Sequence, residues 1–107
     1  MIDLREKDRV RIIALANQHL PHKTELWAYG SRVKGTNHDA SDLDLVLVSG
    51  SRDDFSLSDM QAFKDALQDS TIPILIQVLS WWHIPESFQH NIKQCYEILC
   101  VVDKQAK

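Results

Sequence analysis

The sequence predicts a mixed α/β (α+β) domain, a small β-sheet with helices packed against it. Three observations carry this. Helical and extended patterns alternate along the chain, which implies helices laid on a sheet. The 107 residues suit one domain spanning 1–107 and leave little room for a second. Hydrophobic residues make up 44% and charged residues 25%, so a core can form beneath a solvated surface.

The elements follow in order. Asp3 and Glu6 have capping-box spacing, so a first helix is expected from about Leu4 to Leu20, with Ile12, Ile13, Leu15 and Ala16 on its apolar stripe and Pro21 ending it. Its Arg5, Lys7, Arg9 and Arg11 suit a solvated face or a partner-binding one. Leu26–Tyr29 is a short apolar run, the first strand, with Trp27 and Tyr29 assigned to packing. Ser31 should cap a short helix that Gly35 ends, and Thr36–Ala40 is a polar loop in which His38 and Asp39 are solvated. Asp42–Val48 is the second strand. Arg52–Ser56 connects it to a second helix, with Asp53 and Asp54 solvated, Ser58 as N-cap, Met60, Phe63 and Leu67 on the buried side, and an end near Gln68. Ile72–Leu79 is β-branched and apolar and reads as the third strand, with Pro73 at its start or on an edge. Pro85 opens a third helix buried through Phe88 and Ile92, and Tyr96–Val102 is a last strand or a packed tail. Trp81 and Trp82 either pack on the third helix or anchor a partner. Asp103–Lys107 is expected to fray.

The chemistry concentrates in Ala28-Tyr29-Gly30-Ser31-Arg32-Val33-Lys34-Gly35 and Ser41-Asp42-Leu43-Asp44. A glycine ending a strand permits a sharp turn, and the helix start after it offers N–H groups to a phosphate. Asp42 and Asp44, two apart in an extended segment, project from the same face. Neighbouring carboxylates repel, and a hard divalent cation such as Mg²⁺ relieves that. A phosphate cradle facing such a pair is the layout of metal-assisted phosphoryl or nucleotidyl transfer.

Gly-Ser followed after ten residues by Asp-x-Asp, with Arg32, Gly35 and Ser41 in place, resembles the signature of the DNA polymerase beta-type nucleotidyltransferase superfamily. The closer resemblance is to the minimal nucleotidyltransferases (MNT), antitoxins of HEPN toxins; it runs from Trp27 to Val48 and more weakly from Pro73 to Leu99. It implies the nucleotidyltransferase fold. It also implies ATP as substrate, nucleotide binding by Gly30, Ser31, Arg32, Lys34 and Ser41, and catalysis by Mg²⁺ (or Mn²⁺) on Asp42 and Asp44. The family adds a third carboxylate from the third strand. Here Ile76-Gln77-Val78-Leu79-Ser80-Trp81 puts Gln77 at that position and Ser80 at a second frequent acid. An amide brings no charge and cannot serve as the general base.

Composition narrows the partners. The net charge of −3 and scattered Lys and Arg argue against a long nucleic-acid substrate. No apolar run is long enough to cross a bilayer, and the first residues lack signal-peptide character, so the expectation is a cytoplasmic protein with no membrane partner. Cys95 and Cys100 lack metal-ligand spacing and are expected buried and reduced. Two functions compete. One is an adenylyltransferase that modifies a hydroxyl, by family resemblance a tyrosine of a cognate HEPN toxin. The other is a weakly active or inactive module of the same fold that neutralises its toxin by complex formation, as part of a homo- or hetero-oligomer. A small-molecule transferase ranks behind both, because the chain lacks room for an acceptor domain.

Overall fold

The computed structural model describes residues 2–38 and 41–103. Asp39, Ala40 and the expected frayed end beyond Asp103 lie outside the described residues. The elements are α1 (Glu6–His19), β1 (Glu25–Tyr29), α2 (Ser31–Lys34), β2 (Leu43–Val48), α3 (Leu57–Asp69), β3 (Ile76–Ser80), α4 (Glu86–Gln94) and β4 (Tyr96–Val101). Short 3-10 turns at Arg52–Asp54 and Trp81–His83 precede α3 and α4. Asp53 and Asp54 are exposed in the first of these. Among the described residues no helix is long and apolar enough to cross a membrane.

The four strands form a mixed sheet in the order β3-β2-β1-β4. β2 and β3 run parallel; β1 is antiparallel to both β2 and β4. Side chains alternate across this sheet. Leu43, Leu45 and Leu47 of β2 join Leu26 and Ala28 of β1 on one face, covered by Ile12 and Ala16 of α1 and Phe63 and Leu67 of α3. Val46 and Trp27 face the other way, into a smaller cluster with Trp81 and Ile92 of α4. Trp81 is thereby core, with the Lys93 ammonium 5.5 Å from its ring centroid. Trp82 Nε1 donates to the Ser49 carbonyl at 3.2 Å. Both tryptophans therefore pack within the chain.

Several boundaries differ from the sequence reading. Asp3 does not cap α1. Arg5 stands at that position without a side-chain cap, and Asp3 instead accepts from Asn37 Nδ2 at 2.7 Å. Arg5 reaches forward to Asp8 of α1, with Nε and Nη2 at 2.9 and 3.2 Å from its carboxylate oxygens. Gly30, not Ser31, is the N-cap of α2. Ser56, not Ser58, caps α3, its hydroxyl accepting from the Asp59 N–H at 3.2 Å. Ser58 is one of two serines at plausible spacing, and only the one that leaves the helix at Leu57 completes the first turn. β3 begins at Ile76 rather than Ile72 because Pro73 lacks an N–H and the chain becomes parallel to β2 only from Leu75, whose carbonyl accepts from Leu43 N–H at 2.9 Å. Cys95 and Cys100 are free thiols, half-buried rather than buried, and burial pushes Cys100 up to about 11.

Candidate functional site

The site forms where β1 ends, β2 begins and β3 lies alongside. Asp44 sits in register between Tyr29 of β1 and Gln77 of β3. Laterally paired residues point to the same sheet face, so these three side chains converge. Asp42 precedes β2 by one residue and returns to that face: Gln77 Nε2 donates to Asp42 Oδ2 at 3.0 Å. The acids are close enough that Asp42 acts on Asp44 electrostatically. Burial, and then the Asp42 charge, push the Asp44 carboxyl above the usual carboxylate range. Burial, and then the Asp44 charge, push the Tyr29 phenol up to about 12.

Gly30 completes the arrangement. Its φ of 82° and ψ of −157° lie in a region that side chains resist. A Cβ built at Gly30 would meet the Asp44 carboxylate oxygen directly. The turn therefore needs glycine twice, once for its torsion angles and once for the close approach of backbone to acid. Ser31 follows as the first residue of α2, half-buried. The Gly30 carbonyl accepts from Val33 and Lys34 N–H at 3.1 and 3.0 Å, which winds α2 tightly over the acids' edge of the sheet. Gly35, at φ 81°, ends α2 in the left-handed conformation.

Not every residue singled out in the sequence meets at the acids. Arg32 is buried, and its guanidinium donates to carbonyls of the chain itself: Asp3 at 2.8 Å, Ser41 at 3.0 Å and His38 at 3.5 Å. It ties the first described residues to the segment before β2. Ser41 closes that loop, its hydroxyl accepting from the His38 N–H at 2.9 Å. Lys34 is exposed and lines a cavity of about 460 Å³ together with Gly30, Tyr29 and α4. Removing Arg32 should therefore act on stability: Arg32→Ala should cost about 2–3 kcal/mol in denaturant unfolding, because it removes the buried charged donor that ties Asp3, His38 and Ser41 together. Arg32→Lys should recover only part, since one ammonium cannot reproduce the guanidinium fork.

The residues present fit a divalent cation. Among the described residues no group of three or more His, Cys, Asp or Glu surrounds a point. Two adjacent carboxylates with hard oxygens, one resisting ionisation beside the other, suit an ion such as Mg²⁺ that takes one or two protein carboxylates and completes its shell with phosphate oxygens and water. Sequence reading missed Tyr29 as a member of this cluster, because the pairing register that sets it beside Asp44 is not written in either strand alone.

Residues 11–105 match the family described as polymerase beta, nucleotidyltransferase. The "Probable protein adenylyltransferase MntA" of Haemophilus influenzae is 32% identical over 98 residues, which is 92% of this chain and 83% of the relative. In structure, the chain is similar to a crystal structure of a toxin–antitoxin with AMP-PNP, at a TM-score of 0.70 and 16% identity, covering 87% of this chain and 73% of that one. The last likeness concerns the fold. With the family match spanning nearly the whole chain, and the Gly-Ser turn abutting the Asp-x-Asp pair as described, the chain belongs to the polymerase beta nucleotidyltransferase family and is a homologue of MntA.

Proposed function

We propose that this protein is a Mg²⁺- or Mn²⁺-dependent adenylyltransferase that moves AMP from ATP to a tyrosine hydroxyl of a cognate HEPN toxin, and so acts as its antitoxin. The observation that carries the reading is the contact of the Gly30 backbone with Asp44, with Asp42 alongside. Phosphates and carboxylates repel, so a turn that offers backbone to phosphate directly beside two acids makes sense with a cation between them. Asp42 and Asp44 would hold that ion, which would neutralise the charge gathering on the phosphates during transfer. The acceptor oxygen forms a bond to the α-phosphorus, the bond from that phosphorus to the bridging oxygen breaks, and pyrophosphate leaves. The chain orients the nucleotide through Gly30, Ser31 and Lys34, while Arg32 and Ser41 hold the loop that delivers Asp42. The hydroxyl proton passes to solvent, since Gln77 cannot accept it.

Incubation with α-labelled ATP, Mg²⁺ and the candidate toxin tests this directly. Label should appear on the toxin and depend on both acids. Absence of label on a toxin that demonstrably binds the protein would reject the reading.

Gln77 favours a second reading. Its amide is hydrogen-bonded to Asp42 where the family usually has an acid, which suits a module that neutralises by binding. The two separate in cells: if Asp42→Asn with Asp44→Asn still protects against the toxin, binding alone suffices. Gln77→Asp makes a further check. It should tighten Mg²⁺ binding by about tenfold, on the scale of one added charge near a partly buried ion, as read by calorimetry. If Mg²⁺ affinity does not change, residue 77 lies outside the ion's reach.

A further inference from the structure

We infer that the cavity between α2 and α4 receives the nucleoside of the bound nucleotide, and that the Asn91 and Gln94 carboxamides select adenine there. The inference rests on the nucleotide reading above and adds the base and the side chains that read it. The cavity, about 460 Å³, is lined by Gly30 itself, by Lys34 of α2 and by Phe88, Asn91 and Gln94 of α4. Its size lies within the range of about 300–1,000 Å³ common for small-ligand sites. A nucleotide whose phosphates rest at the Gly30 turn has its sugar and base within reach of this space.

The lining chemistry suits a flat base. Tyr29 and Phe88 meet edge to face, with ring centroids 5.8 Å apart, and give one side an aromatic, apolar surface. Bases stack on such surfaces. The other polar side chains are the Asn91 and Gln94 carboxamides, the Lys34 ammonium and the Cys95 thiol, and of these the carboxamides carry a donor and an acceptor together. Asn91 is exposed, and Gln94 Nε2 lies 3.3 Å from His90 Nε2, an exposed contact that a ligand can replace. A carboxamide offers one donor and one acceptor side by side, matching the adenine N6–H and N7. Guanine presents two acceptors on that edge, which Arg or Lys reads best, and two donors on its other edge, which call for a carboxylate. No carboxylate lies among the described residues lining the cavity. Lys34, in α2 directly after the Gly30 turn, also lines the cavity, and a lysine ammonium pairs with phosphate as a point charge.

Binding of ATP, GTP and inorganic tripolyphosphate, each with Mg²⁺, to the whole protein and to Asn91→Leu with Gln94→Leu tests this. Both positions are exposed on α4, and circular dichroism verifies that the variant folds. The native protein should prefer ATP over GTP by about tenfold or more, the scale of one bidentate base contact. The double variant should lose that preference and about tenfold of ATP affinity, while tripolyphosphate binds both proteins within about twofold. Equal ATP affinity in both proteins would overturn the assignment. So would a change confined to the KM for an acceptor peptide, which would make the cavity an acceptor site. If the native protein binds tripolyphosphate but shows no base preference, only the base pocket falls. If it binds neither tripolyphosphate nor ATP, the nucleotide reading falls with it.

Discussion

Gly30→Ala should be the most damaging single substitution in the site, and Gly35→Ala shows why. Both glycines have positive φ, 82° and 81°. At Gly35 a Cβ meets nothing within 4 Å. The cost there is the left-handed conformation alone, about 1 kcal/mol. At Gly30 the ψ of −157° puts the residue where glycine is nearly obligatory, about 1–3 kcal/mol for the backbone. The added methyl must also displace the Asp44 carboxylate or the turn. The expected result is a loss of about 2–4 kcal/mol in denaturant unfolding, against about 1 for Gly35→Ala. Adenylyl transfer should vanish in Gly30→Ala and largely survive in Gly35→Ala. Equal effects at the two positions would remove the close approach as the reason for glycine.

Asp44→Asn should separate function from stability in opposite directions. Transfer should fall by at least about a hundredfold, the scale on which single electrostatic groups at a reacting phosphate act. The metal-free protein should be no less stable, and more so at neutral pH. Because the folded-state pKa of Asp44 is raised, its carboxyl favours the fold in the protonated form. That contribution is present below the unfolded carboxylate value and is lost as pH rises through the folded one. Asparagine stays neutral throughout. Thermal melts of the native protein should therefore weaken as pH climbs above the ordinary carboxylate range, and Mg²⁺ should restore them; in Asp44→Asn both responses should shrink. A native protein indifferent to Mg²⁺ would argue that the pair holds no ion.

Much of this was legible in the sequence, and for identifiable reasons. The strand expected at Asp42–Val48 showed itself as a run rich in Leu and Val and is observed as Leu43–Val48; such a run suits a strand buried on both faces, with Leu43, Leu45 and Leu47 in one cluster and Val46 in the other. Gly30 before Ser31 announced a turn, and the turn lies against Asp44 of the expected acid pair. Gln77, set by the resemblance at the position of the family's third acid, reaches Asp42. What eluded the sequence depends on distant partners. Arg32, expected at the nucleotide, turns inward because Asp3, twenty-nine positions away, is folded beside it. Tyr29 reads as packing until β2 registers Asp44 against it. The cavity requires α4 to be placed against β1, and nothing in the spacing of Asn91 and Gln94 says where that helix lies. The cap of α3 slipped by two positions because two serines, Ser56 and Ser58, stand at neighbouring candidate positions.

The Arg32 guanidinium joins Asp3, His38 and Ser41, and Asp3 also donates its own N–H to the Arg32 carbonyl at 2.9 Å. Amide protons at the beginning of the chain and in the segment leading into β2 should then exchange with deuterium as one cooperative unit, at a common opening free energy. Opening of that unit should slow catalysis from a distance, without touching the acids.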